Sequence, residues 1–167
     1  MIKILPLTKT DPAMISLLAR EIWFRHYCDM LSNAQIHYML AQRYCPMLIQ
    51  SQLTEKNIWW KKLLFDGTAI GFSCCTRTNM PHELKIDKLY IHHDHHRKGY
   101  GKMLVDDAVK TMHQAGCNSL ILTVNKQNHA AIQAYQRYGF EIIGDSVVDI
   151  GGGFFMNDYL MSMTPCV

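Results

Sequence analysis

A chain of 167 residues, 49% hydrophobic and with a formal net charge of only +3, suits one globular domain and excludes a disordered tail or a polybasic nucleic-acid arm. No apolar run approaches the ~18 residues of a membrane span, and Met1-Ile2-Lys3 leads into a strand pattern rather than a signal peptide. None of the six cysteines forms a C-x-x-C pair, and Cys74-Cys75 lie in an apolar run, which fits reduced thiols in a cytoplasmic protein.

In chain order, IKILPLT alternates as a strand. Thr10-Asp11-Pro12 then supplies a cap and an early proline for a helix over AMISLLAREIWFRHY. SNAQIHYMLAQRY predicts a second helix, capped by Ser32 or Asn33. IWWKKLLF and TAIGFSCCTRT flank Asp66-Gly67 as a hairpin, and a third strand runs from about Glu83 to Ile91. YGKMLVDDAVKTMHQAG is an amphipathic helix that stops at Gly116, SLILTV is a buried strand, and NHAAIQAYQRYGF is a helix from an Asn cap to Gly139. FEIIGDSVV and FFMNDYLMSM close the chain as strands around Gly151-Gly152-Gly153. The predicted order is β-α-α-β-β-β-α-β-α-β-β, with no repeat or linker.

The stretch HHDHHRKGYGKML, from His92 to Leu104, admits three readings: a metal site, a phosphate-binding turn, or a His-rich surface loop. His92, His93, His95 and His96 do not form the H-E-x-x-H pattern of a helical zinc site, and no cysteine joins them at finger spacing, so no metal is assigned. Gly101-Lys102 is followed by Met103 rather than Ser or Thr, and no third glycine completes a dinucleotide fingerprint. What survives is a strand, a polar turn and glycines opening a helix. Unpaired N–H groups at a helix start suit an anion, and Gly99 and Gly101 let it approach beside Arg97 and Lys98. A solvated turn with ordinary caps fits this stretch alone equally well.

In NHAAIQAYQRYGF, residues Asn128, Ala131 and Tyr135 share one helix face, with Asn128 and Tyr135 roughly 10 Å apart at 1.5 Å per residue. An extended ligand arm could meet an amide at one end and a phenol at the other; equally, Asn128 could cap the helix and Tyr135 could pack.

Together these motifs resemble the GNAT superfamily of acetyl-CoA-dependent N-acetyltransferases. His96-Arg97-Lys98-Gly99-Tyr100-Gly101 is similar to its [Q/R]-x-x-G-x-[G/A] turn, with His96 where Gln or Arg is usual. Asn128, Ala131, Tyr135, Gly139 and Phe140 match N-x-x-A-x-x-x-Y-x-x-x-G-F, and Asp87 to Ile91 resemble the family's splayed central strand. The resemblance implies an α/β fold: a mixed, mostly antiparallel sheet of about seven strands with about four helices, as one domain over residues 1–167.

It also implies acetyl-CoA as cofactor and direct attack of an amine on the thioester. Backbone groups of Leu89, Tyr90 and Ile91 would pair with the pantetheine arm, and the turn from His96 through Tyr100 to Lys102 would hold pyrophosphate. Asn128 and Ala131 would contact the arm, and Tyr135 would protonate the departing thiolate. For the base, Glu83 and Asp87 are candidates, because Glu83, Lys85, Asp87, Leu89 and Ile91 alternate onto one strand face if no bulge intervenes. A water chain without a dedicated base stays open, as does an ion-pair role for these acids. Trp23, Tyr27, Tyr38 and Asp158 could line an amine pocket or simply belong to the core. The acceptor would be a small-molecule amine, polyamine-like or other, or a peptide, with neither nucleic acid nor membrane as partner. A homodimer and a non-catalytic acyl-CoA sensor stay open.

Overall fold

The computed structural model describes residues 1–166. Its strands are β1 (Ile2–Pro6), β2 (Ile58–Phe65), β3 (Thr68–Arg77), β4 (Glu83–Ile91), β5 (Ser119–Asn125), β6 (Glu141–Gly151) and β7 (Phe154–Met163). The helices are α1 (Pro12–His26), α2 (Asn33–Arg43), α3 (Pro46–Gln52), α4 (Tyr100–Gln114) and α5 (His129–Arg137). The strands form one sheet in the order β1-β2-β3-β4-β5-β7-β6, antiparallel throughout except for β4 beside β5. This is the GNAT fold, with one helix more than expected. Pro46 starts α3 at a first-turn position where its missing N–H is harmless.

Ser32 caps α2 by accepting the Gln35 N–H at 3.1 Å. Asp11 precedes α1 but does not cap it; its carboxylate turns back to Thr8 N at 2.6 Å and Lys62 Nζ at 2.8 Å. Asp66-Gly67 takes positive φ at both positions, which is what a tight two-residue hairpin needs.

Each face of the sheet carries a core. Trp23, Ile36, Tyr44 and Phe72 pack under α1 and α2, while Leu84, Ile86, Met112 and Phe140 pack under α4 and α5. The adjacent Cys74 and Cys75 point into opposite cores, as strand alternation requires.

Two irregularities in β4 shape everything that follows. Cys74 pairs with Lys88 and Cys75 with Ile86, so Asp87 is an extra residue without a partner on β3. That bulge resets the alternation. Lys85 and Asp87 face α2, whereas Leu89 and Ile91 pack on the α4 side, so the expected common face does not exist. Second, β4 pairs with β5 only over Glu83–Lys85, and the two strands then part.

Candidate active site

The parted strands open a cleft of about 560 Å³ reaching both faces of the sheet. Its floor is β4 from Ile86 to Ile91 and β5 from Leu122 to Asn125. Of the anticipated residues, Trp23, Tyr27, Asp87, Asn128, Tyr135 and Asp158 line it. So do the turn residues His96, Arg97, Gly99, Tyr100 and Gly101, together with Leu89, Tyr90, Ile91 and Ala131.

The turn is built to expose amides. Arg97 and Gly99 take φ of 60° and 81°, which points the chain into the first turn of α4. The N–H groups of Tyr100, Gly101 and Lys102 precede the first α4 bond, Met103 N–H to Gly99 O at 3.2 Å, so the helix itself leaves them unpaired. A Cβ at Gly101 would meet only Tyr138 Oη, at 3.6 Å, and one at Gly99 nothing within 4 Å. The space over this cradle is therefore open to an anion. Lys98 reaches the Asp94 carbonyl at 3.0 Å and Lys102 pairs with Asp106 at 2.6 Å, while Arg97 and Arg137 line the cleft.

His96 stands where the turn pattern has Gln or Arg, and its role is now visible. Its Nε2–H donates to Ile91 O at 2.8 Å, tying the turn to the end of β4. His92 N–H donates to Ile70 O, so by antiparallel alternation the Leu89 and Ile91 groups point away from β3, toward the cleft. The Ile91 carbonyl is taken by His96, which leaves its N–H and the Leu89 groups for a ligand arm.

Asn128 is more committed than its spacing suggested. Its Oδ1 accepts the Ala131 N–H at 3.3 Å, and its amide nitrogen lies 2.9 Å from His26 Nε2, fastening α1 to α5. Burial lowers the His26 pKa, with His96 adding to the effect, so this imidazole is neutral and accepts the bond. Tyr135, half-buried on α5, packs edge-on to Phe140 and Tyr138. Burial, with Tyr90 and Tyr138 nearby, raises its phenol well above the usual value and keeps it protonated.

The anticipated bases fare unequally. Glu83 lies outside the cleft and accepts the Thr78 hydroxyl at 2.8 Å. Asp87 reaches the cleft but is surrounded by cations: Arg43 Nη2 is 3.0 Å away, Lys85 Nζ 3.5 Å, and Lys88 is in direct contact. Burial would raise its pKa, but Lys88 and Arg43 outweigh that and hold it well below the carboxylate range. A carboxylate so stabilised has little affinity for a proton. Tyr38 is also outside the cleft; its hydroxyl donates to Ile150 O at 3.0 Å and lies against Gly151, where any side chain would collide with it.

Asp158 behaves oppositely. It sits on β7 between Asn125 and Ser146, on the strand face it shares with Met156, toward α1 and α2. It is 8% exposed, and its Oδ1 has no hydrogen-bond partner among the described residues. Burial pushes its carboxyl up to about 6, only partly opposed by Lys85 and Arg43. Arg43, Lys88 and His26 also line the cleft, although the sequence singled out none of the three as a site residue. In the sequence they are ordinary helix and strand residues.

His92, His93 and Asp94 bring one ligand atom each within 4.8 Å of one another. The His92 ring is already engaged, however, donating to Glu21 at 2.9 Å and accepting the Asp94 N–H at 3.3 Å.

An open cradle of helix-start amides, a parted β4–β5 pair and a protonated phenol over the gap together define an acyl-CoA-dependent transferase of the GNAT type. The family model described as the Acetyltransferase (GNAT) family matches residues 20–140, and the chain belongs to that family. The chain is 29% identical over 136 residues to the peptidyl-lysine N-acetyltransferase YjaB of Salmonella typhimurium, covering 81% of this chain and 80% of that one. It is 30% identical over 102 residues to streptothricin acetyltransferase of Streptomyces lavendulae, covering 60% of this chain and 54% of that enzyme. The PaiA N-acetyltransferase of Thermoplasma acidophilum in complex with coenzyme A superposes with a TM-score of 0.84 at 23% identity, covering 99% of each chain. The protein is thus an N-acetyltransferase that uses acetyl-CoA. No described helix is long and apolar enough to cross a membrane.

Proposed function

We propose that the protein transfers acetyl directly to the primary amine of a small molecule or a peptide, with Asp158 as proton acceptor and Tyr135 as proton donor. The observation that carries this reading is the placement of these two groups on one cleft, with proton affinities displaced to suit opposite tasks. Acetyl-CoA supplies the activated carbonyl carbon that the amine attacks.

The cradle from His96 to Lys102 binds pyrophosphate, and the free backbone groups of Leu89 and Ile91 align the pantetheine arm as an added strand would. Asp158 takes one proton from the acceptor ammonium, freeing the nitrogen lone pair. As the C–N bond forms and the C–S bond breaks, Tyr135 Oη gives its proton to the sulfur. The tyrosinate then recovers a proton from the nitrogen of the new amide, and Asp158 releases its own to solvent. Charges and atoms balance, with one net proton released.

The relatives are named for a peptidyl lysine and for streptothricin, which supports acetyl transfer to an amine without choosing between small molecule and peptide. The test is release of coenzyme A thiol from acetyl-CoA across amino acids, polyamines, aminoglycosides and lysyl peptides. Release that depends on the added amine, with a matching acetylated product by mass, is expected. Coenzyme binding with no release for any acceptor would overturn the reading.

A further inference from the structure

We infer that the acceptor carries an anionic group, a carboxylate or a phosphate, within a few bonds of the amine it presents. This deepens the transferase reading above and rests on it. Polyamines are correspondingly poor acceptors.

The ground is an imbalance of charge at the acceptor end of the cleft. Arg43, Lys85 and Lys88 all gather on the single carboxylate of Asp87. Lys88 is 4% exposed and stands over the rings of Trp60 and Tyr44, at 5.1 and 5.7 Å, so it neutralises Asp87 from inside the core. That leaves Arg43, which lines the cleft, and Lys85, beside Asp87 just outside the lining, whose side chains are 34% and 31% exposed.

The other acid of the cleft on this face is Asp158, and both cations oppose the burial that raises its carboxyl. Glu83 is turned away to Thr78 and His26 is neutral, so neither alters the balance. Three cations against two carboxylates leave one positive charge in surplus, and two once Asp158 has taken a proton.

The geometry of Arg43 makes that surplus usable. All three of its bonds to Asp87, two to the carboxylate and one to the carbonyl, come from Nη2. The guanidinium carries five N–H donors, so the Nη1 and Nε hydrogens remain as separate donors for a carboxylate or phosphate oxygen. An acceptor with its ammonium at Asp158 and its anion at Arg43 matches both ends of the site. A polyamine would bring several positive charges to a site that already has too many, in surroundings where charge is poorly screened.

The experiment compares matched acceptors on the full chain with acetyl-CoA: amino acids against their amides, phosphoethanolamine against ethanolamine, and spermidine. The expected result is a kcat/KM at least about tenfold higher for the anionic member of a pair. The pair that shows the ratio identifies carboxylate or phosphate. Arg43→Gln should bring the ratio toward one through KM, with coenzyme affinity retained. Lys85→Gln, at a more peripheral position, should narrow it and serves if the Arg43 variant does not fold. Equal kcat/KM within every pair, or a preference for spermidine, would overturn the inference and leave the transferase standing. Acetylation of no amine, with coenzyme bound, would overturn the transferase reading and this inference with it.

Discussion

His96 donates its Nε2–H to the carbonyl of Ile91 at 2.8 Å, so the turn proposed to hold the coenzyme is latched to the last residue of β4. The bond orients the turn and at the same time removes one carbonyl from those available to a ligand arm. A glutamine amide can reach and donate in the same way. His96→Gln should therefore keep coenzyme affinity within a few-fold, whereas His96→Ala should weaken it by about 5- to 10-fold, the worth of one neutral hydrogen bond. Calorimetric titration with coenzyme A measures both.

Gly101 separates ligand space from protein space. An added Cβ there meets nothing closer than Tyr138 Oη at 3.6 Å, so the folded chain tolerates a side chain. Gly101→Val should leave the melting temperature within a few degrees and abolish coenzyme binding. Wild-type affinity in the variant would show that pyrophosphate sits elsewhere. Gly99 is a less clean choice, because its φ of 81° makes any replacement strained with or without ligand.

Tyr135→Phe retains the ring against Phe140 and Tyr138 and removes only the hydroxyl. A general acid contributes ~10²–10⁴-fold, so kcat should fall by that order while coenzyme affinity and thermal stability hold. An unchanged kcat with chemistry rate-limiting assigns the proton to water instead.

Asp158 must be ionised to accept a proton, so kcat/KM should rise with pH through about 6 and then level. Asp158→Asn should remove that limb and lower kcat by ~10²-fold or more. Its effect on stability runs the other way. The folded pKa lies above the unfolded one, so ionising the buried carboxyl disfavours the fold as pH rises through this range. The Asn variant should accordingly melt no lower than wild type at pH 8, as read by calorimetry.

Asp87 has the reverse linkage. Its folded pKa is depressed, so its contribution is present above the unfolded value of ~3.9 and fades as pH falls below it. Asp87→Ala strands the buried Lys88 without its carboxylate and should cost about 3–5 kcal/mol in chemical denaturation at pH 7. Lys88→Met should cost less, because Arg43 and Lys85 still serve Asp87. Equal losses would mean that the cluster acts through packing alone.

What the sequence determined by itself is local. Ser32 before α2, Asp66-Gly67 in the hairpin, Gly99 at the start of α4 and the Asn128-to-Tyr135 spacing are choices the chain makes within a few residues. Caps, turns and positive φ are settled there, so the element order and the glycine turn that opens α4 could be read directly. Only α3 escaped, although Pro46 marks its start.

The Asp87 and Asp158 end of the cleft was decided by tertiary structure. One bulge at Asp87 reversed the facing of Leu89 and Ile91, and strand alternation in the sequence carries no mark of it. Arg43 meets Asp87 across 44 positions, and His26 meets Asn128 across 102. Two aspartates of the same intrinsic acidity end on opposite sides of the carboxylate range. Asp87 is held down by three cations, and Asp158 is pushed up by burial with an oxygen left unpaired. Proton affinity depends on what surrounds a group after folding, and those surroundings are drawn from α2, β4 and β7 together.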